Sequence, residues 1–187
     1  MHRLFVGLEL PDFIVAQLLT LRMEIPGARW QSAGQLHMTL NFIGQVDEGI
    51  LGAIIRSLKE FPVETDQAAQ TGNFRLTLSN PGFFGSPEAP KMLWLDVRPH
   101  APLATLHEGI ETRLAALGLE RDPRRFKPHL TLARLGKKCH SVAPFLARFA
   151  DFQSPVFEVR YLSLFESTLS QEGSTYRVIE RFPLAAP

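Results

Sequence analysis

The sequence predicts an α+β protein built as one unit with two lobes that face a central cleft. Three observations support this prediction. A length of 187 residues suits a single domain, or one core made of two similar halves. Segments with strand-like alternation and segments with helical spacing follow one another along the whole chain. In addition, each half holds one copy of a short pattern, His37-Met38-Thr39-Leu40 and His129-Leu130-Thr131-Leu132.

The first half has the pattern strand, helix, strand, helix. Residues 3–8 favour a strand, and residues 11–22 have the apolar spacing of a helix. Residues 36–43 alternate, and the predicted faces are His37, Thr39 and Asn41 against Met38, Leu40 and Phe42. Asp47 favours the start of a further helix, whose apolar spacing extends to Leu58.

The second half repeats this order with additional strands. Strand-like segments lie at 74–78, 92–97, 126–135, 156–165 and 176–182, and helix-like segments lie at 103–117 and 142–149. Residues 80–82 and 85–90 are rich in Pro and Gly and favour loops, and Gly173 favours a turn. Because no low-complexity linker separates the halves, we expect one two-lobed domain over residues 1–187.

The repeated His-x-Thr pattern is the strongest functional signal. On a strand, the His and Thr of each copy point to one face, and the two apolar residues point to the core. A shuffled chain of this composition would hold both copies with a probability of about 0.002. One copy alone would more often be ordinary strand surface, but two copies predict a patch where two imidazoles and two hydroxyls meet.

Charge is unevenly distributed, although the formal net charge of the chain is only +1. Residues 121–138 carry a net charge of +6 around the second motif, with Asp122 as the single acid among Arg121, Arg124, Arg125, Lys127, Arg134, Lys137 and Lys138. An isolated run of this kind is usually a solvated loop. Its position around the second motif favours an anionic ligand.

The cysteine count and the apolar runs of the sequence indicate where in the cell the protein acts. The single cysteine, Cys139, allows no internal disulfide, which fits a reducing compartment. The first apolar stretch breaks at Glu9 and Pro11, unlike a signal peptide, and no apolar run approaches the ~20 residues of a membrane helix. We therefore expect a cytoplasmic protein that does not bind membranes. We also expect a monomer.

Two histidines and two threonines without carboxylates indicate acid–base chemistry on an anion. One imidazole can remove a proton from a nucleophile while the other protonates the leaving group, and the hydroxyls can donate to oxygens that gain charge. This set suits cleavage of a phosphodiester without a metal. A zinc site is disfavoured because two histidines are too few ligands. The neighbouring pair Cys139 and His140 is treated as incidental.

Further segments match a known family, namely 3–8, Trp30, 36–44, 93–95, 126–134, 164–167, Gly173, Tyr176 and 182–184. On these segments and the two motifs, the chain resembles the two-histidine phosphoesterase superfamily, and within it the RNA 2',3'-cyclic phosphodiesterases, also called 2'-5' RNA ligases. The resemblance implies a two-lobed α+β fold with an antiparallel sheet in each lobe, the motif strands in the cleft and the helices outside.

The resemblance also implies an activity and its residues. The activity is hydrolysis of a 2',3'-cyclic phosphate at an RNA end to a 2'-phosphate without a metal or nucleotide cofactor, and in some members reversible 2'-5' ligation. By position, His37 and His129 are the acid–base pair, and Thr39 and Thr131 are phosphate ligands. The sequence leaves open which histidine is the base.

Three further contacts are predicted around the motifs. Arg134 matches a phosphate-contacting arginine of the family, although it lies five residues after His129, where a regular strand would turn it to the opposite face. Either the strand bends there or Arg134 reaches around its end. Lys127, which shares the parity of His129, is a candidate for a further phosphate contact, and Phe5 is a candidate for a base or sugar contact.

The predicted function is an RNA 2',3'-cyclic phosphodiesterase whose partners are RNA ends or nucleotides with a cyclic phosphate. Two alternatives stay open at this point. A sister enzyme of the superfamily would act on 2'-5' oligonucleotides or small cyclic nucleotides, and a nucleotide-binding module would keep the fold without turnover. The intact His and Thr of both motifs argue against the module.

Overall fold

A computed structural model describes residues 1–61, 74–170 and 173–184 of the chain. The described residues form two antiparallel sheets and four α-helices, which confirms the expected α+β class. The helices are α1 (Asp12–Leu19), α2 (Glu48–Lys59), α3 (His100–Ala116) and α4 (Ala143–Arg148). None of these helices is long and apolar enough to span a membrane.

The two sheets draw their strands from interleaved parts of the chain. The first has the order β3-β1-β8-β9 and contains β1 (His2–Glu9), β3 (His37–Val46), β8 (Tyr161–Ser170) and β9 (Gly173–Pro183). The second has the order β2-β6-β5-β4-β7 and contains β2 (Ala28–Trp30), β4 (Phe74–Ser86), β5 (Ala89–Arg98), β6 (His129–Leu135) and β7 (Phe157–Val159). We call the two sheets, with the helices that cover them, the first lobe and the second lobe.

The apolar faces of both sheets belong to one hydrophobic core. In β1, Leu4, Val6 and Leu8 are buried, and β5 buries Leu93 and Leu95 in the same way. Full burial of one such side chain favours folding by roughly 1.5–3 kcal/mol. The helices add further apolar residues to this core, among them Ile14, Ile54, Leu58, Leu106 and Ile110. The motif strands β3 and β6 lie against each other, so the two lobes meet at the motifs.

Each motif strand contains a β-bulge at the same place. In β3, Gly7 faces Thr39 and Val6 faces Asn41, so Leu40 is the extra residue. In β6, Leu132 is the extra residue, because Trp94 faces Thr131 and Leu93 faces Ala133. A bulge adds one residue to a strand, and the side chains after it therefore change faces.

The bulge in β3 overturns the predicted alternation after Leu40. Asn41 is 2% exposed and Phe42 is 52% exposed, the reverse of the expected faces. The Nδ2 of Asn41 donates to Glu111 Oε1 over 2.9 Å, and His107 Nδ1 donates to the Leu40 carbonyl over 3.1 Å. These bonds hold α3 against β3, because the bulge turns the Asn41 amide inward.

Other element boundaries also differ from the predictions. The Asp47 cap is confirmed, since its Oδ1 accepts from the Ile50 amide over 2.9 Å. The predicted loop 80–82 is wrong, because β4 continues through it with an irregularity at Asn80, where φ is +44°. The predicted strand 156–165 is two strands, which lie in different sheets. The short strand β2 was not predicted.

Candidate active site

Both motif histidines are held by their own backbone in the same way. The Nδ1 of His37 lies 2.8 Å from the carbonyl oxygen of Gln35, and the Nδ1 of His129 lies 2.7 Å from that of Lys127. A carbonyl only accepts hydrogen bonds, so Nδ1 carries the proton in each neutral ring. Each Nε2 is therefore left with a lone pair. The site thus holds two imidazoles in the same tautomer.

His37 is enclosed by aromatic rings. Phe5 stacks on it at 4.8 Å between centroids, Tyr176 meets it edge-on at 4.9 Å, and Phe165 lies 5.4 Å away. The pKa of His37 is lowered to about 4, chiefly by burial. The charges of Arg134 and His129 also lower it, and the bond to the Gln35 carbonyl opposes them. His37 is therefore neutral at pH 7.

The hydroxyl of the first motif lies beside this ring. The Oγ1 of Thr39 is 3.0 Å from His37 Nε2, to which it donates in the neutral tautomer. In the second motif, Thr131 Oγ1 donates instead to the Met92 sulfur over 3.3 Å. Both bonds leave a hydroxyl on the same face as its histidine, as the alternation before each bulge predicts.

Phe5 is covered on both sides of its ring and is only 3% exposed. His37 stacks at 4.8 Å, and Phe165 stacks at 4.7 Å with the two planes only 5° apart. A base or a sugar has no open face of this ring to contact. The structure thus corrects the prediction for Phe5, whose ring supports the His37 imidazole.

His129 has aromatic neighbours and a nearby cation. The Phe84 ring meets it edge-on at 5.0 Å, and Trp94 lies 6.5 Å away. The Nζ of Lys127 sits 3.9 Å above the centre of the Trp94 ring. Burial lowers the pKa of His129, the bond to the Lys127 carbonyl raises it, and the charge of Lys127 lowers it. Lys127 is thus placed within electrostatic reach of the second histidine.

Trp94 depends on a glycine in the neighbouring strand. Gly82 faces Trp94 across the β4–β5 pair, and a Cβ at Gly82 would lie 2.3 Å from the indole ring. Only glycine leaves room for the indole to lie against the backbone at this point. The indole in turn carries Lys127 on its exposed side, so Gly82 contributes to the position of that cation.

The bulge at Leu132 resolves the parity of Arg134. A single extra residue between Thr131 and Arg134 returns the arginine to the face of Thr131 and His129. Its charge lowers the pKa of His37 in the opposite strand, so Arg134 acts on the histidine of the other lobe. Of the two explanations that the sequence left open, the strand irregularity is the one found.

Two arginines of the basic segment form ion pairs with acidic residues of the protein. Arg121 donates to Glu108 Oε1 over 2.7 Å, and Arg124 forms an ion pair of 2.6 Å with Asp122. Of the cations of this segment, only Lys127 and Arg134 shift the pKa values of the imidazoles. The excess of positive charge in the sequence thus overstates the number of cations at the site.

Phe42 is a site residue that the sequence analysis missed. It lies five residues after His37, as Arg134 lies five residues after His129, and both side chains are exposed. Its ring is 6.1 Å from that of Phe5, at the edge of the aromatic group around His37. The matching offset in the two motifs was the available signal, and the assumption of regular alternation concealed it.

The described residues contain no group of three or more His, Cys, Asp or Glu side chains that could hold a metal ion. Two sheets that meet at paired His-x-Thr strands are the arrangement of a two-histidine phosphoesterase. A profile of the 2'-5' RNA ligase superfamily matches residues 14–170, and the chain belongs to that superfamily.

Relatives in other organisms have similar sequences along most of the chain. An RNA 2',3'-cyclic phosphodiesterase of Archaeoglobus fulgidus is 29% identical over 183 residues, which are 96% of this chain and 99% of the relative. A protein of the same name from Geobacillus stearothermophilus is 30% identical over 86% of this chain and 49% of its own length. A third, from Methanocaldococcus jannaschii, is 25% identical over 96% of this chain and 99% of its own.

Solved structures share the fold at low sequence identity. The protein TT0787 of Thermus thermophilus aligns with a TM-score of 0.78 at 24% identity, and the match covers 97% of each chain. E. coli LigT, solved in complex with 3'-AMP, aligns with a TM-score of 0.74 at 23% identity over 97% of each chain. The architecture of two antiparallel sheets is therefore shared with these solved structures.

Proposed function

We propose that this protein hydrolyses 2',3'-cyclic phosphates at RNA ends and leaves a 2'-phosphate. One observation carries the proposal, namely the two imidazoles held in the same tautomer on strands that lie against each other, with Arg134 on the face of His129. The relatives named RNA 2',3'-cyclic phosphodiesterase, which match along nearly the whole chain, support the substrate class.

The proposed reaction is a displacement at phosphorus. The neutral imidazole takes a proton from water, the water oxygen bonds to phosphorus, and the bond to the 3' oxygen breaks. The protonated imidazole gives its proton to that oxygen, so the products are a 2'-phosphate and a 3'-hydroxyl. Thr39, Thr131, Arg134 and Lys127 are proposed to contact the phosphate oxygens, where charge increases during attack. The two imidazoles supply both proton transfers, and no metal is needed.

We infer that His37 is the base and His129 is the acid. His37 is more deeply buried among aromatic rings, and its pKa of about 4 keeps it neutral. The pKa of His129 is lowered by burial and Lys127, but an anionic phosphate beside it favours its protonated form. A single proton shared by the pair therefore resides on His129.

Phe42 is proposed to stack on the terminal base. Its ring is exposed at the edge of the site, on the side of the first lobe. Stacking on an aromatic ring tolerates any base, because every base has a π-face. The enzyme would then accept RNA ends of different sequence.

The test is to incubate the purified protein with an oligonucleotide that ends in a 2',3'-cyclic phosphate, after exhaustive chelation of metals. The expected product is a 2'-phosphate, identified by comparison with synthetic 2'- and 3'-phosphorylated standards. Cleavage of 2'-5' oligonucleotides with no action on the cyclic phosphate would support the sister activity instead. Loss of turnover on chelation that zinc restores would contradict the metal-independent mechanism.

We also propose that the chain acts as one two-lobed domain, as a monomer, in the cytoplasm. The interleaved strand order supports the single domain, because the first sheet needs both ends of the chain. Cys139, which is free and buried, is consistent with a reducing compartment. Sedimentation at the concentration used in the assays gives the mass in solution, and a dimer would contradict the monomer.

A further inference from the structure

We propose that Arg98, anchored by the buried carboxylate of Asp96, binds the backbone phosphate one nucleotide upstream of the RNA end. This inference rests on the proposed function and adds a subsite to it. It assigns to the second lobe the task of distinguishing an RNA chain from a lone cyclic nucleotide.

The register of β5 places Arg98 next to the second histidine. Asp96 faces His129 and Trp94 faces Thr131, so these residues share the face that carries the motif. Arg98 lies two residues beyond Asp96 and returns to that same face. Successive residues on one face of a strand are about 6.8 Å apart. Pairs of residues that face each other across β5 and β6 form rows along this face, and Arg98 lies one row beyond the pair of Asp96 and His129. This row is on the opposite side of His129 from Thr131.

The Nε of Arg98 is held by a carboxylate, whereas its terminal nitrogens are left for a ligand. Its Nε donates to Asp96 Oδ2 over 2.8 Å, and the other carboxylate oxygen accepts from His100 Nε2 over 2.7 Å. Asp96 is 5% exposed, whereas the Arg98 side chain is 55% exposed. Among the residues that the structure describes, none accepts a hydrogen bond from the terminal nitrogens of Arg98. These nitrogens form a pre-positioned donor pair of the type that binds phosphate.

In the first lobe, the corresponding arginine already uses a terminal nitrogen in a bond within the protein. Glu9 faces His37 as Asp96 faces His129, and Glu9 also binds an arginine. Arg181, however, donates Nε to Oε1 and Nη2 to Oε2, both over 2.8 Å, so both carboxylate oxygens are engaged by one guanidinium. Both side chains are similarly exposed, at 55% for Arg98 and 53% for Arg181. Of the two, only Arg98 keeps both terminal nitrogens without an acceptor among the described residues.

Arg98 would bind an anion of the RNA backbone through its terminal N–H groups, because its charge is already paired with that of Asp96. The ammonium of Lys127 lies over Trp94, in the row of Thr131, and so belongs to the other side of His129. An RNA end with a cyclic phosphate continues in one direction only, through the phosphate of the preceding nucleotide. The step from one strand row to the next is similar to the step between successive phosphates. With the cyclic phosphate at the histidines, the upstream phosphate can thus reach Arg98.

The experiment compares two substrates that differ by this one phosphate. Adenosine 2',3'-cyclic phosphate has no upstream phosphate, and the dinucleotide ApA with a terminal 2',3'-cyclic phosphate has one. We expect wild-type protein to have the higher kcat/KM on the dinucleotide. Arg98→Gln should lower kcat/KM on the dinucleotide by about tenfold, as expected for a partly exposed charge-assisted hydrogen bond, and leave the mononucleotide unchanged. Arg98→Lys should restore part of the loss.

The control is Arg56→Gln, which removes the same charge from the exposed face of α2 and should affect neither substrate. Equal losses on both substrates in Arg98→Gln, or no loss on either, would overturn the role of Arg98 while the proposed function stands. A wild-type protein that cleaves neither substrate would instead overturn the proposed function and this subsite with it. Thermal unfolding of each variant establishes that the fold is retained.

Discussion

In the first lobe, His37 is packed among the rings of Phe5, Phe165 and Tyr176, whereas in the second lobe His129 lies beside a cation, Lys127. The backbone around the two histidines is nevertheless the same. Each Nδ1 donates to the carbonyl two residues earlier, and each strand bulges three residues after the histidine. The backbone therefore sets the tautomer of each histidine, while the neighbouring side chains set its proton affinity.

The difference is greatest at the fifth position after each histidine. The first lobe carries Phe42 there, and the second carries Arg134. Both cations that shift the imidazole pKa values, Lys127 and Arg134, come from the second lobe. We interpret the first lobe as the side that holds a neutral base and a nucleobase, and the second lobe as the side that holds phosphate charge.

The largest expected effect comes from removing either imidazole, because each lobe supplies one of the two proton transfers. His37→Ala and His129→Ala should each lower kcat by about 10²–10⁴-fold, the usual contribution of general acid or base catalysis. The measurement is turnover of a cyclic-phosphate oligonucleotide at saturating substrate. His140→Ala, at an exposed histidine outside the motifs, is the matched control and should retain full activity. Near-normal turnover in either motif variant would contradict the acid–base mechanism.

A smaller effect is expected at Phe42, which separates the tasks of the two lobes. Phe42→Ala should raise KM by about fivefold, because stacking on an exposed ring is worth roughly 1 kcal/mol per base. Its kcat should change little, since the ring is distant from the proton transfers in the proposed reaction. Phe13→Ala, which removes another exposed ring, is the control. A loss confined to kcat would show that Phe42 supports His37 and not the base.

The smallest expected effect is a shift in the pH profile. His37 must be neutral and His129 protonated, so kcat/KM should fall below about pH 4 as His37 gains a proton. It should also fall above the pKa of His129, which is lowered from 6.5, so the optimum is acidic. Lys127→Gln removes a nearby positive charge and should therefore move the alkaline limb to higher pH. Lys137→Gln is the charge-matched control, and movement of the acid limb instead would reverse the assigned roles.

Local sequence patterns predicted the helix at Asp47, the strands that hold the motifs and the pairing of the two motifs in space. They failed where one residue changes the register. The bulge at Leu40 turns Asn41 toward α3, where Glu111, 70 positions later in the chain, accepts a hydrogen bond from its amide. Alternation along one strand contains no information about such a partner.

The subsite at Arg98 could not be predicted from the sequence for a related reason. Asp96 and Arg98 are ordinary alternating residues in the sequence, and only the register between β5 and β6 places them beside His129. Burial of Phe5 was hidden in the same way, since β8 supplies the ring of Phe165 that covers it from the opposite end of the chain. Contacts of this kind are decided by topology.

Backbone carbonyl oxygens orient the two histidines, and this bears on which substitutions the enzyme can accept during evolution. A main-chain oxygen is present whatever side chain the residue bears, so position 127 can mutate without altering the imidazole tautomer. Position 35 is more constrained, because the Gln35 side chain accepts from the Ser32 amide and donates to the Ser174 carbonyl. Position 127 already uses this freedom, since its backbone orients His129 while its ammonium group tunes the proton affinity of the same ring. A substitution there alters the working pH and leaves the catalytic geometry intact.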